Sequence, residues 1–117
     1  HTPEEELLEI FDNLSAPLVV CGHTHMPFDR DVGNIRVVNA GSVGMPFGKT
    51  GADWLILDTD IEFKHTRYDL NQAAERIRDS DYPYTEDFIR KNLLQTPSER
   101  EALDMLSQIE DSQKSRN

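Results

Sequence analysis

The chain has 117 residues, of which 37% are hydrophobic and 29% charged, and it carries a net charge of −10 at neutral pH. Such a length buries one modest core, so the chain reads as one domain or a piece of one, and no apolar run approaches the roughly 18 residues that a membrane span needs. The acidic balance argues against a nucleic-acid scaffold, which draws affinity from Lys and Arg displacing counterions, and it means that phosphate chemistry here would call for a bound cation.

Thr2-Pro3-Glu4-Glu5 reads as a helix start, with Thr2 as N-cap, Pro3 at the first helical position and Glu5 closing a capping box. Opening on His1 and this cap, the chain reads as cut from something longer. Leu7, Ile10, Phe11 and Leu14 follow at helical spacing, which predicts a helix to about residue 14 with one buried stripe. Leu18–Cys21 is a continuous apolar run of the kind a strand covered on both faces shows, and Gly22 breaks it just before His23. A second strand is predicted over 35–38, opening into the glycine-rich 39–46 loop, Asn39-Ala40-Gly41-Ser42-Val43-Gly44-Met45-Pro46, a candidate site wall.

Residues 54–57 and 61–67 read as a hairpin joined by Asp58-Thr59-Asp60, with Ile61 and Phe63 on one face and Glu62 and Lys64 on the other. Asp69 with Gln72 three residues on predicts a capped helix whose Leu70, Ala73, Ala74 and Ile77 form one stripe. Two more helices are predicted over about 86–94 and 98–109, the latter with Ala102, Met105, Leu106 and Ile109 on one face, and fraying from Asp111 onward. The only cysteine, Cys21, sits in an apolar run, as a reduced cytoplasmic core residue would; with no secretory segment in view, the expected location is cytoplasmic.

The chemistry concentrates in Gly22-His23-Thr24-His25. Imidazole is a common metal ligand, and the glycine frees the backbone to turn both rings into one cavity. On an extended segment, side chains at i and i+2 leave the same way from Cα atoms roughly 6.5 Å apart, which suits one metal as well as two about 3.5–4 Å apart. Ser42 lies between Gly41 and Val43, but the G-x-S-x-G pattern of an esterase elbow is not met, leaving a structural hydrogen bond or a substrate contact as its roles. The Asn39 amide has two readings, pinning the loop to the histidine segment or reaching a phosphate oxygen. His65 is expected to be a solvated strand histidine and not a ligand.

Val19-Val20-Cys21-Gly22-His23-Thr24-His25-Met26-Pro27 followed by the 39–46 loop, then Leu55-Ile56-Leu57-Asp58 and Tyr68-Asp69 at a helix start, resembles the C-terminal half of the calcineurin-like metallophosphoesterases, most of all the small bacterial ones, over about 7–77. The resemblance implies an α/β fold, part of a four-layer α-β-β-α sandwich, here with extra C-terminal helices. It divides the chain into the C-terminal half of the catalytic domain over 1–80, a helical extension over 81–110 and a flexible tail over 111–117. It further implies two divalent metal ions, drawn from Mn, Fe, Zn or Ni, bridged by an aspartate and a solvent-derived hydroxide that attacks phosphorus. His25 would bind the first metal and His23 the second, with Asn39, Gly41 and Ser42 beside the phosphate. The family's upstream D-x-H, G-D and G-N-H motifs are absent from this sequence, so no catalytic residue is assigned within it, and His1, which lacks the following glycine of the family's H-G segment, is not counted as a ligand.

The expected protein is therefore a hydrolase of phosphate mono- or diesters, inactive as this piece alone. Its expected partners are the phosphate-ester substrate and the missing N-terminal half of the same domain, or another copy of the chain. One rival is a non-catalytic interaction module on the same fold, as in the retromer subunit that resembles these phosphatases. Another is a self-contained metal domain, for which Asp29 and Asp31 are the only near ligands to join His25.

Overall fold

A computed structural model of the chain describes residues 2–116, and His1 lies outside that range. The elements, in chain order, are α1 (Glu4–Phe11), β1 (Leu18–Cys21), β2 (Phe28–Val32), β3 (Ile35–Asn39), β4 (Ala52–Leu57), β5 (Ile61–Thr66), α2 (Leu70–Arg78), α3 (Thr85–Phe88), a π-helical turn (Ile89–Leu93) and α4 (Glu99–Lys114). Two sheets result: β1-β3-β2, with β1 parallel and β2 antiparallel to β3, and the antiparallel hairpin β4-β5.

β3 lies at the centre of its sheet, and Val37, Val38 and Asn39 are all buried. α1 packs Leu7 and Phe11 against the cluster of Val32, Ile35 and Val37. The rest of its predicted stripe stays out, for Ile10 is 66% exposed and the helix stops at Phe11, short of Leu14. The capping box at its start also fails to form: Pro3 is the N-cap, without a side-chain bond, and the Glu4 carboxylate instead accepts from the Gly33 N–H at 3.3 Å.

The strand β2 is absent from the sequence reading, which registers the charges of Phe28-Asp29-Arg30-Asp31-Val32 and overlooks their alternation. Asp29 and Asp31 point out while Val32 is buried, and the two-residue turn Gly33-Asn34, with Gly33 at φ +58°, closes the hairpin onto β3. β1 is likewise not covered on both faces, since Val20 is 42% exposed and β1 pairs with β3 alone among the described residues.

A second core lies under the helices, where Leu70, Ala73, Ala74 and Ile77, the predicted stripe of α2, pack against Ile89 and Leu93. Asp69 caps α2 by accepting from the Gln72 N–H at 3.0 Å, as its spacing predicts. The 86–94 pattern proves to be a short α-helix running into a π turn, marked by the Leu94 N–H bonding to the Ile89 carbonyl five residues back at 2.9 Å. α4 opens on a Ser98–Glu101 capping box and stays helical through Lys114, past the expected onset of fraying, with the Lys114–Glu110 pair at 2.7 Å in its last turn. Among the described residues no helix is long and apolar enough to cross a membrane.

Candidate metal centre

His23 and His25 follow directly on the C-terminal end of β1, in the turn that leads to β2. The segment is not extended. Both residues adopt left-handed backbone, His23 at φ 77° and His25 at φ 60°. A non-glycine residue held there costs on the order of 1–3 kcal/mol and persists only where surrounding contacts over-determine it.

Those contacts come from Asn39, the last residue of β3, whose Cα partner in β1 is Cys21. Fully buried, its side-chain amide donates to the Gly22 carbonyl at 2.9 Å and to Thr24 Oγ1 at 3.1 Å, while its Oδ1 accepts from the Gly41 N–H at 2.9 Å. One amide thus fixes the histidine turn and the start of the 39–46 loop together. Of the two readings of Asn39, the geometry realises pinning, because both ends of the amide are engaged.

The loop in turn orients His25. Its Nδ1 lies 2.8 Å from the Met45 carbonyl oxygen, and its ring stacks on Phe47 with centroids 5.3 Å apart and planes 20° apart. A carbonyl oxygen only accepts, so Nδ1 must carry the proton, which leaves the Nε2 lone pair of the neutral ring free for a ligand. A backbone carbonyl fixing the far ring nitrogen is the arrangement found behind metal-bound histidines. The donor set of His25 therefore suits a divalent cation at Nε2. His23 is exposed on the same turn. Among the described residues, no three His, Cys, Asp or Glu side chains converge on one point. Asp29 is not a third ligand for His25, since Arg36 grips it through two bonds of 3.0 and 2.7 Å and holds its carboxyl below the usual range.

Ser42 accepts from the Met45 N–H through Oγ at 2.9 Å and bonds the Asp53 N–H through its carbonyl at 2.9 Å, so it braces the loop and keeps its hydroxyl proton for another acceptor. Gly41 sits at φ +82°, and a Cβ there would come within 2.7 Å of Asp53 Cβ and 2.8 Å of Pro27 Cγ. Its place beneath the turn is open to glycine alone. Cys21, beside Asn39, is a thiol that burial pushes up in pKa, against a smaller lowering by the Asn39 bond.

Sequence reasoning passes over Thr24, the Met45 carbonyl, Phe47 and the Asp53–His65 pair. His65 is not a solvated strand residue: it is the register partner of Asp53 across β4-β5, with Nδ1 2.7 Å from Asp53 Oδ1, and it packs against Gly51. Asp53 is 5% exposed, and its Oδ2 has no hydrogen-bond partner among the described residues. Counting outward from the 58–60 turn would have placed 53 opposite 65.

The profile of the calcineurin-like phosphoesterase superfamily domain matches residues 1–62, which take in β1, the histidine turn, β3 and the 39–46 loop. The chain belongs to the calcineurin-like phosphoesterase superfamily. It is similar in structure to a hypothetical protein from Pyrococcus horikoshii OT3, at TM-score 0.61 and 19% identity over 75% of this chain and 37% of that one. It is also similar to a metallophosphoesterase from Sphaerobacter thermophilus, at TM-score 0.58 and 22% identity over 74% of this chain and 46% of that one. The chain thus shares their α/β fold while spanning less than half the length of either. No curated protein matches it.

Proposed function

We propose that this chain is the C-terminal portion of a metal-dependent phosphoesterase, a hydrolase of phosphate mono- or diesters, in which His25 holds one divalent cation and His23 a second. The observation that carries the reading is His25 itself, whose Nδ1 is committed to the Met45 carbonyl so that Nε2 is left as a ligand on a rigid, left-handed turn. Membership of the calcineurin-like phosphoesterase superfamily supports the same chemistry. Divalent cations of the Mn, Fe, Zn or Ni kind would supply Lewis-acid charge at the phosphoryl oxygens and make a bound water acidic near neutral pH.

The protein's own groups have separable tasks. As ligands, the two imidazoles would hold cations without cancelling their charge, which a chain of net charge −10 needs in order to take an anionic substrate. Ser42 keeps a hydroxyl proton to donate to a phosphate oxygen, while Asn39 and Gly41 give the pocket wall its shape. The remaining ligands, and any group that protonates the leaving oxygen, would come from the rest of the domain. The one-sided edge β1 and the two-stranded sheet β4-β5, a size marginal by itself, support docking of that missing half or of a second copy. A cytoplasmic setting agrees with Cys21 as a free, partly buried cysteine.

In the full-length protein, His25→Ala should cut manganese-dependent hydrolysis of an aryl phosphodiester by orders of magnitude while the melting temperature moves by only a few degrees. Turnover at the wild-type rate in that variant contradicts the assignment.

A further inference from the structure

Asp53 and His65 have no part in the chemistry above, yet they reach the loop that carries Ser42. A Cβ built on Gly41 would come within 2.7 Å of Asp53 Cβ and 2.8 Å of Pro27 Cγ, so Gly41 lies between β4 and the segment leaving the histidine turn. One residue on, the Ser42 carbonyl accepts from the Asp53 N–H at 2.9 Å. Asp53 therefore holds two successive residues of the loop, Gly41 by contact and Ser42 by a hydrogen bond.

Its own side chain is held in turn. Asp53 Oδ1 takes a 2.7 Å bond from His65 Nδ1, directly across the hairpin, and Oδ2 has no partner among the described residues, so His65 alone ties the carboxylate down there. The His65 ring is itself backed by Gly51, where a Cβ would meet Nε2 at 2.6 Å. The Asp53 side chain is 5% exposed and that of His65 20%, so the bond is largely shielded from water, where a hydrogen bond is electrostatically stronger.

Packing alone does not account for the pair. Two apolar side chains at 53 and 65 would fill the space without desolvating a carboxylate, whereas a hydrogen-bonded pair adds direction. β4 has β5 as its one strand partner among the described residues, and a two-stranded sheet is marginal by itself, so a directed bond at this point bears on where β4 sits under the loop.

We propose that Asp53 and His65 are a positioning pair for Ser42: they seat β4 beneath the 39–46 loop and so hold the Ser42 hydroxyl where a phosphate oxygen of the substrate meets it. The inference rests on the phosphoesterase reading and deepens it, adding to the histidine turn a phosphate contact governed from the β4-β5 hairpin.

The test is Asp53→Ala in the manganese-loaded full-length protein. Alanine keeps the backbone N–H for Ser42 and the Cβ beside Gly41 and leaves no bare carboxylate, so it removes the pair and little else. KM for bis(4-nitrophenyl) phosphate should rise about tenfold, the scale of one hydrogen bond to a charged group, with kcat within about threefold of wild type. Ser42→Ala should do the same, and the double variant should be no worse than either alone, because the pair acts through Ser42. A general loosening of the fold would instead lower kcat and multiply with the Ser42→Ala loss; that result, or an unchanged KM in Asp53→Ala, overturns the proposal. If the wild type hydrolyses no diester, the phosphoesterase reading falls and amide hydrogen exchange decides the clamp on its own. Asp53→Ala should then speed exchange of the two amides bonded to Ser42, those of residue 53 and Met45, about tenfold, while Ala74 in the second core keeps its rate. Unchanged exchange at both loop amides overturns it.

Discussion

Two buried polar side chains, Asn39 at the start of the 39–46 loop and Asp53 in β4 beyond its end, have surroundings that differ in kind. Asn39 ends β3 and satisfies every direction of its amide, giving two donor bonds to the histidine turn and taking one from Gly41. Asp53, in β4, uses one carboxylate oxygen on His65 and leaves the other buried with no partner among the described residues. A complete network fixes one geometry and tolerates no exchange, whereas an incomplete one has slack. The histidine turn is built on the complete one.

Isosteric swaps in opposite directions give the widest separation between the two. Asn39→Asp removes both donor bonds and sets a buried anion against the Gly22 carbonyl and Thr24 Oγ1, so it should destabilise the protein by about 3 kcal/mol or more. Asp53→Asn keeps an acceptor for His65 and makes the unpartnered atom no worse off, so it should stay within about 1 kcal/mol of wild type. Urea unfolding of the two variants measures both, and equal losses would erase the distinction.

The glycines of the loop sharpen the same contrast on a smaller scale. Gly41→Ala meets Asp53 Cβ at 2.7 Å from a left-handed backbone and should cost about 2 kcal/mol, while Gly44→Ala enters open space and should cost within about 0.5 kcal/mol. Thermal melts of the pair decide it.

The smallest effect is at Cys21, whose thiol burial pushes up in pKa. Because the folded chain holds that proton more tightly than the unfolded one, the stability this thiol contributes is kept below the ordinary thiol pKa and lost as pH rises through the raised value. Its alkylation by iodoacetamide at mildly alkaline pH should be slower than that of an unfolded cysteine peptide. Equal rates would mean that the thiol beside Asn39 is not shielded.

What the sequence made legible follows from how local each signal is. The β1 strand, the cap of α2 and its apolar stripe rest on neighbours within a few residues, and they appear where periodicity and capping place them. The position of His23 and His25 at a strand end was equally visible. Their left-handed backbone was not, because it is imposed by an asparagine 14 residues beyond His25, through bonds that depend on the parallel pairing of β1 with β3. β2 escaped notice because alternating Asp residues on its open face masked a period of two that Phe28 and Val32 carry. His65 was misjudged for a similar reason: alone it is a polar residue on a strand, and only the register to Asp53 shows it pairing with a buried carboxylate.

The role we propose for His25 is to be held through Nδ1 so that Nε2 binds a cation. Long-range ¹⁵N–¹H correlation spectra of the histidine-labelled full-length protein, recorded during titration with Zn²⁺, test it most directly. His25 should begin as the Nδ1-protonated tautomer, and its Nε2 resonance should shift on zinc addition while Nδ1 keeps its proton. A His25 protonated at Nε2 from the start, or one whose Nε2 is indifferent to zinc, would contradict it.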